Sequence, residues 1–322
     1  MNPLLASVLW AVVIVSLLLF VTTMALWFER KFAARMQSRL GPTMVGPAGV
    51  LQPVADAVKL MQKEDIRPEH ADWGLFNLAP LLAAVSAIAA AAVIPFSPDM
   101  VHSGLELGVL YVLAVGAITV IPIFTAGWAS NNKFALLGGM RAIAQSVSYE
   151  VPLLLSALVP VVLAGSMNLS EIVKYQAEHH WLAAWPFFLG IPAFLLFLLA
   201  MLAESNRIPF DIPEAESELI AGVTTEYTGM KFAMFYLAEY VHTLVASAIA
   251  STLFLGGWDG PFAPGLHWML LKTFALFAIV YWARWSLLRY RSDQLMRLCW
   301  HVFVPLGVVL VAGAGLWVVY GG

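Results

Sequence analysis

The sequence predicts an all-α integral membrane protein with about eight transmembrane helices. Of its 322 residues, 61% are hydrophobic and 11% are charged, a balance that does not suit a water-facing globule. Apolar runs of roughly twenty residues, the length that crosses a bilayer as a helix, recur along the chain. The lysines and arginines also fall in alternate loops, as they do in multi-pass proteins. We therefore expect a single membrane domain over residues 1–322.

Eight apolar segments define the expected spans. They cover approximately residues 4–28, 75–95, 107–128, 149–165, 182–203, 232–255, 268–288 and 300–320. The fourth segment has the weakest signal, because it is short and contains Pro152 and Pro160. The first is too long for a signal peptide and its bases, Arg30 and Lys31, follow it, so we expect a retained span.

The distribution of basic residues predicts the orientation. Fifteen of the seventeen lysines and arginines lie in or beside the loops that follow odd-numbered spans, and only Lys174 and Lys272 lie on the other side. The positive-inside rule places those odd loops inside. Both termini are therefore expected outside.

The first inner loop, about residues 29–73, contains a predicted amphipathic helix at about 49–63. Apolar side chains recur there at helical spacing, while Gln52, Asp56, Lys59 and Lys63 share the opposite face. At roughly fifteen residues the segment is too short to span, so a helix lying at the membrane interface fits best. A helix packed on a partner protein is the alternative, and the two are compatible.

The loop between the fifth and sixth spans, about residues 204–231, is unusually acidic. Between Glu204 and Glu226 it holds six of the chain's twenty acidic residues and one base, Arg207. Pro209 and Pro213 interrupt any helix there, because proline lacks the N–H that a helix needs. We interpret this loop as a proton-coupled charge sensor, since carboxylates crowded beside a bilayer have raised pKa values and respond to any nearby change in charge.

Further ionisable residues lie in or at the ends of spans. Glu150, Glu239 and His242 lie inside spans, with Glu29 and Glu204 at span ends. Such residues usually face a bundle interior or an aqueous cavity and are functional candidates. Structural alternatives remain: an ion pair with the adjacent Arg30 for Glu29, and an interhelical hydrogen bond for His242.

Several chemistries are not expected in this chain. A single cysteine, Cys299, excludes an internal disulfide and any iron–sulfur cluster ligated by cysteines of this chain alone. Near Glu178, the adjacent His179 and His180 would point about 100° apart on a helix, and no third ligand is evident, so we expect no metal site. No covalent nucleophile or phosphate-binding motif stands out. We expect no catalytic residues in this chain alone.

Four segments carry a family resemblance. ESNRIPFDIPEAESELIAGVTTEYTGMKF and GPTMVGPAGVLQPVADAVKLMQKED resemble the two signatures of the H subunits of respiratory complex I, the proton-translocating NADH:quinone oxidoreductase. SNNKFALLGGMRAIAQSVSYE and YLAEY match further landmarks of that family. Thr43 stands where the family often has asparagine, from which we expect only a local effect on a turn.

The resemblance implies a membrane subunit that forms a quinone-access chamber and couples quinone reduction to proton translocation. It places Glu29, Arg30 and Asp56 near the mouth of the chamber, and Phe210, Asp211, Glu214, Glu216, Glu218, Glu226 and Lys231 along or beside it. It implies a proton relay through Glu150, Glu204 and Glu239.

The same resemblance implies the molecular setting. The substrate would be ubiquinone or menaquinone, with FMN and iron–sulfur clusters held by partner subunits and none in this chain. The partners would be membrane lipid, peripheral iron–sulfur and quinone-site subunits, and small and antiporter-like membrane subunits, without nucleic acid. The location would be the plasma (inner) membrane of a bacterium.

Three other functions stay open at this level. The chain also resembles the equivalent subunit of ferredoxin-driven or hydrogenase-linked complexes, although the complete PFDIPEAESEL run favours a quinone enzyme. A stand-alone secondary transporter or proton channel would use the buried acids to bind ions directly, but no inverted repeat is visible. A purely structural anchor for peripheral subunits would need the acids only for assembly.

Overall fold

The computed structural model describes residues 3–98, 104–179, 181, 186–261 and 263–320, with the side chains of residues 3–11, 187, 216 and 217 outside that description. His180, the first residues of the expected fifth span (182–185) and the side chain of Glu216 thus lie outside the described part. The described residues form thirteen α-helices and contain no strand: α1 Pro3–Met36, α2 Gln52–Gln62, α3 Trp73–Ala91, α4 Gly108–Ile118, α5 Val120–Ala129, α6 Lys133–Ala164, α7 Leu169–Glu178, α8 Phe187–Glu204, α9 Glu216–Leu219, α10 Gly229–Phe254, α11 Leu266–Ser286, α12 Ser292–Leu298 and α13 Val304–Tyr320.

The expected all-α membrane architecture is confirmed. Within the described residues, seven helical stretches are long and apolar enough to cross a bilayer, where α4–α5 and α12–α13 each count as one. The shorter apolar helix α8 brings the total to about eight, as the sequence predicts.

The fourth span differs most from its expected bounds. In place of a short span at 149–165, α6 is one continuous helix of 32 residues that contains both Pro152 and Pro160. Its interior-facing side chains, among them Ser156 and Ala157, are buried against neighbouring helices. Packing of this kind against neighbouring helices sustains proline-containing membrane helices.

Prolines do modify two other spans. α4 ends and α5 begins around Thr119, three residues before Pro122, and the Thr119 hydroxyl donates to the carbonyl of Gly116 at 2.6 Å. In the last span, a π-helical turn over Cys299–Phe303 precedes Pro305. Each irregular turn lies beside a residue that has no N–H to donate, which accounts for the local departure from α-helix.

The centre of the bundle is α10. Of its apolar stretch 61% is buried, against 22% for that of α1 and of the last span. Its buried face is built of small residues such as Ser247, Ala250 and Ser251. Small side chains let helix backbones approach closely, which is how membrane helices gain packing energy.

The predicted amphipathic helix is α2, and its apolar face points away from the protein. Val54, Val58 and Met61 are exposed, while Asp56 faces α1 and forms an ion pair with Arg30. This arrangement fits a helix that lies along the membrane surface and is held to the first span by its polar face.

Candidate functional site

The acidic segment between α8 and α10, residues 205–228 and here called the central loop, is fastened to α6. The side-chain amide of Gln145 donates to the backbone carbonyls of Ala203 at 2.7 Å and Phe210 at 2.8 Å. At the other end of the loop, the amide of Asn132, which caps α6, donates to Glu226 at 2.6 Å. Both ends of the loop are thus held by one helix.

The middle of the central loop folds back on itself at Gly222. This glycine has a φ of +54°, and a Cβ there would lie 2.0 Å from the carbonyl oxygen of Pro213. No other residue fits such an approach, because both the backbone angle and the space require the absence of a side chain. The ring of Tyr227 stacks on Phe76 of α3 at a centroid distance of 4.1 Å, which fixes the loop to the bundle.

Beneath the loop lies a partly open cavity, here called the acidic cavity. Glu214 of the central loop lines it, together with Glu204 at the end of α8 and Glu239 on α10. Burial raises the pKa of Glu214 to about 8, and the negative charges of Glu239 and Asp211 act in the same direction. A carboxyl group of this kind changes its protonation near neutral pH.

Glu239 is paired with Arg207, the one base of the central loop. The guanidinium Nη1 lies 2.9 Å from the Glu239 carboxylate, and the arginine side chain is only 2% exposed. The rings of Tyr240 and Tyr281 lie 4.5 and 5.2 Å from the guanidinium carbon, within the range of cation–π attraction. Burial acts to lower the pKa of Arg207, but the charge of Glu239 raises it above the ordinary value, so the arginine stays charged.

Two nitrogens of Arg207 have no partner. Within the described part of the chain, Nε and Nη2 are buried and make no hydrogen bond. The Tyr281 hydroxyl is buried and unpartnered as well. Buried polar groups of this kind are costly to leave unsatisfied.

A second group of charges lies where α1, α10 and α11 meet. Glu29 accepts a hydrogen bond from Arg284 at 2.7 Å and another from the Tyr240 hydroxyl. It therefore pairs with α11 and α10 and not with the adjacent Arg30, which binds Asp56 of α2. The local pairing considered from the sequence is replaced by a contact between helices far apart in the chain.

The remaining acids of the loop are directed elsewhere. Asp211 pairs with Arg289 at 3.1 Å, and burial raises its pKa although Arg289 opposes the shift. Glu218 is half exposed and pairs with Arg141 at 2.6 Å. Neither carboxylate lines the acidic cavity.

Three further residues assigned by resemblance also lie outside the acidic cavity. Lys231 pairs with Asp65 at 2.7 Å and lies over the ring of Phe76. Phe210 is buried with its ring stacked on Tyr290. Glu150 on α6 lies close enough to Glu204 for their charges to interact.

Sequence reasoning missed the residues that organise these acids. Gln145 and Asn132 lie within a recognised motif, but their contacts were not foreseen, and Arg284 and Arg289 served only to orient the spans. The basic residues near the ends of α11 and α12 were a usable signal, because every buried carboxylate needs a compensating partner.

His242 lines the acidic cavity beside Glu204, with 3.6 Å between its Nε2 and the Glu204 carboxylate.

Together, the fold and the site define a multi-pass helical membrane protein in which three carboxylates, one of them paired with a buried arginine, line a cavity beneath an acidic loop. Comparison with known proteins agrees. The family described as NADH dehydrogenase matches residues 9–314. The H subunit of NADH-quinone oxidoreductase from Dehalococcoides mccartyi (strain CBDB1) is 50% identical over 302 residues, which cover 94% of this chain and 82% of the relative. The chain belongs to this family.

Relatives from other bacteria agree. The proteins of the same name from Burkholderia ambifaria (strain MC40-6) and Burkholderia vietnamiensis (strain G4) are each 47% identical over 318 residues. In both cases the match covers 95% of this chain and 89% of the relative. The family assignment therefore extends over nearly the whole molecule.

Proposed function

We propose that this chain, a membrane subunit of an NADH:quinone oxidoreductase, forms part of the quinone chamber and couples quinone reduction to proton translocation. It is not catalytic alone. The observation that carries the proposal is the acidic cavity, where Glu214 of the central loop meets Glu204 and Glu239 of the spanning helices. A change of charge at the loop therefore acts directly on carboxylates inside the bundle.

The coupling follows from electrostatics. Reduction of a quinone to a quinol takes up two protons, and until these arrive the site carries extra negative charge. Negative charge near Glu214 raises its proton affinity further, as Glu239 and Asp211 already do. Any change in the protonation of Glu214 changes the field at Glu239 and Glu204, and Glu150 is the next carboxylate in the proposed relay.

The lipid tail of a quinone needs an apolar route from the bilayer. We assign that route to the side where α1 and α2 meet, because α2 presents exposed apolar side chains there. Glu29, Arg30 and Asp56 lie at this junction and would border the mouth of the chamber.

The remaining residues assigned by the resemblance fit a subunit that binds other subunits of the complex. Phe210, Asp211, Glu216, Glu218, Glu226 and Lys231 would adjoin the chamber and the peripheral subunits. FMN and iron–sulfur clusters would lie in those partners, and antiporter-like membrane subunits would receive the coupling signal. The odd loops would face the inside of a bacterial plasma membrane, with both termini outside.

A matched pair of substitutions tests this function. In the intact complex reconstituted in proteoliposomes, Glu214→Gln removes the cavity carboxylate, whereas Glu178→Gln makes the same change at an exposed residue at the end of α7. We expect Glu214→Gln to lower coupled NADH:quinone turnover by about tenfold or more, the low end of what a positioned proton-transfer group contributes. Glu178→Gln should stay within about twofold, because this side chain is exposed and lies outside the acidic cavity.

Two results would contradict the proposal. One is parent-like proton pumping per electron pair in Glu214→Gln. The other is a purified chain that transports ions by itself, without iron–sulfur subunits, which would favour a stand-alone transporter.

A further inference from the structure

One edge of the buried Arg207 guanidinium has no partner among the described residues. Its Nη1 atom binds the Glu239 carboxylate at 2.9 Å, and the rings of Tyr240 and Tyr281 lie beside its central carbon. Nε and Nη2 are buried and make no hydrogen bond in the part of the chain that the structure describes. These two N–H groups share one edge and form a fork, here called the Arg207 fork, whose geometry suits both oxygens of one carboxylate.

Glu214 is the carboxylate of the acidic cavity that faces this arginine without an ion pair. It lines the cavity together with Glu239. None of the ion pairs formed between described residues includes it. The charges of two arginines, Arg207 and Arg284, act on Glu214. Because Arg284 is bound to Glu29 at 2.7 Å, the two buried donors of the Arg207 fork are the better placed to receive another carboxylate.

The protonation of Glu214 decides whether such a partner is needed. Its pKa is raised to about 8 by burial, so at neutral pH Glu214 keeps its proton and adds no charge. The ion pair of Arg207 with Glu239 is then balanced, and Glu214 can stay unpaired. Loss of that proton creates a buried negative charge, which is costly unless it is paired and hydrogen-bonded.

We propose that the Arg207 fork is a second carboxylate-binding site, which Glu214 enters when it loses its proton. The inference rests on the proposed function and deepens it, because it gives the charge of the central loop a defined receiver on α10. The proton that leaves Glu214 passes to solvent on the open side of the acidic cavity. Arg207 then holds Glu239 at Nη1 and Glu214 at Nε and Nη2. It is a positioning residue that ties the loop to α10 in one protonation state only.

The other charged groups nearby are engaged with partners of their own. The charged and titratable groups that face Arg207 or Glu214 are Glu29 of α1, Glu239 and Tyr240 of α10, Tyr281 and Arg284 of α11, and Asp211 of the central loop. Glu204 and His242 also line the acidic cavity. Asp211 is bound to Arg289 at 3.1 Å and Glu29 is bound to Arg284, so neither acid competes with Glu214 for the fork.

The first test uses the intact parent complex and needs no substitution. Structures of the complex at about pH 6 and about pH 9 lie on either side of the Glu214 pKa of about 8. We expect the two Glu214 oxygens to lie within about 3 Å of Nε and Nη2 at the higher pH, and the present arrangement at the lower pH. A Glu214 side chain that stays away from the fork at both pH values, with or without an ordered water there, would overturn the proposal.

Arg207→Lys provides the functional test in proteoliposomes. Lysine keeps a positive charge beside Glu239 but has no planar fork to bind a second carboxylate. We expect coupled turnover to fall by about tenfold, as for the loss of one hydrogen bond to a charged group. Arg297→Lys makes the same change at an exposed residue of α12 and should stay within about twofold of the parent.

A double variant separates a binding site for Glu214 from a general structural role of Arg207. If the fork serves Glu214, Arg207→Lys/Glu214→Gln should be no more impaired than Glu214→Gln alone, whereas independent losses would multiply to about a hundredfold. Multiplied losses, or parent-like turnover in Arg207→Lys, would overturn the proposal, and the two structures decide it if Arg207→Lys does not assemble. In each case, uncoupling by Glu214→Gln would leave the proposed function standing, because that test does not involve the fork.

Discussion

The two ends of the α10–α11 pair hold a buried cation in opposite ways. At the end away from the central loop, Lys272 donates to the backbone carbonyls of Leu255 at 2.5 Å, Gly257 at 3.1 Å and Asp259 at 2.5 Å. All three N–H donors of its ammonium group are used. At the acidic end, Arg207 has one carboxylate partner, Glu239, and two nitrogens without any in the described part of the chain.

The two cations differ in whether their hydrogen-bond partners can take up a proton. Backbone carbonyls do not titrate, so the hydrogen-bond partners of Lys272 do not change with pH. The partner of Arg207 is a carboxylate that can take up a proton, and the neighbouring Glu214 has a pKa of about 8. The same two helices therefore provide a fixed anchor at one end and a rearrangeable cluster at the other.

The largest effect is expected from removing the arginine. Arg207→Met leaves Glu239 as a buried charge without compensation and should destabilise the protein by about 3–5 kcal/mol. Arg141→Met, which breaks the more exposed pair with Glu218, should cost about 1 kcal/mol or less. Thermal unfolding of the purified complex compares the two. The double variant Arg207→Met/Glu239→Gln should recover most of the loss, and equal midpoints for the two single variants would remove the distinction between buried and surface pairs.

Loss of the anchor at the opposite end should have the next largest effect. Lys272→Met leaves three carbonyls without their donor and should destabilise by about 2–3 kcal/mol. Quinone reduction and pumping per assembled complex should not change, since this end takes no part in the proposed relay. The exposed Lys174 supplies the matched Lys→Met control. A loss of pumping in Lys272→Met, with assembly intact, would show that the two ends are coupled.

A third effect, which depends on the pH, is a loss of stability at the acidic end. The pKa of Glu214 is raised from 4.5 to about 8 on folding, so between these values the folded state holds a proton that the unfolded chain has lost. Its contribution is therefore complete below pH 4.5 and is lost as the pH rises toward 8, at up to about 1.4 kcal/mol per pH unit.

The change of stability with pH distinguishes the titration of Glu214 from that of neighbouring acidic residues. Thermal midpoints measured between pH 5 and 8 should fall less steeply in Glu214→Gln than in the parent, because glutamine carries no titrating proton. Glu218→Gln should keep the parent slope. A parent-like slope in Glu214→Gln would mean that another group titrates.

The sequence was sufficient for the spans but not for the pairing within them. Hydrophobic runs and alternating loop charge predict the helices, and only α6 departs widely, because packing against neighbours outweighs the local effect of two prolines. The acidic composition of the central loop was evident from the sequence. The sequence did not show that Glu214 lines a cavity whereas Glu218 points outward. The direction of each side chain depends on Gly222 and on contacts with α6.

The partners of the carboxylates illustrate the same limit. Glu29 and Arg284 are 255 positions apart, and Asp211 and Arg289 are 78 apart. Nothing in local spacing connects them. Only the arrangement of α1, α10 and α11 brings the first pair together, and the sequence gives no direct measure of that arrangement.

The fastening of the central loop to α6 has a mechanical consequence. Asn132 and Gln145 are thirteen positions apart, about 20 Å along the helix axis, and each grips a different end of the loop. Between them, Arg141 pairs with Glu218, and the loop passes so close to Gly138 that a Cβ there would lie 2.9 Å from the carbonyl oxygen of Pro213. The loop therefore meets α6 at four points along the helix, so a displacement of α6 is transmitted to the loop at each of them.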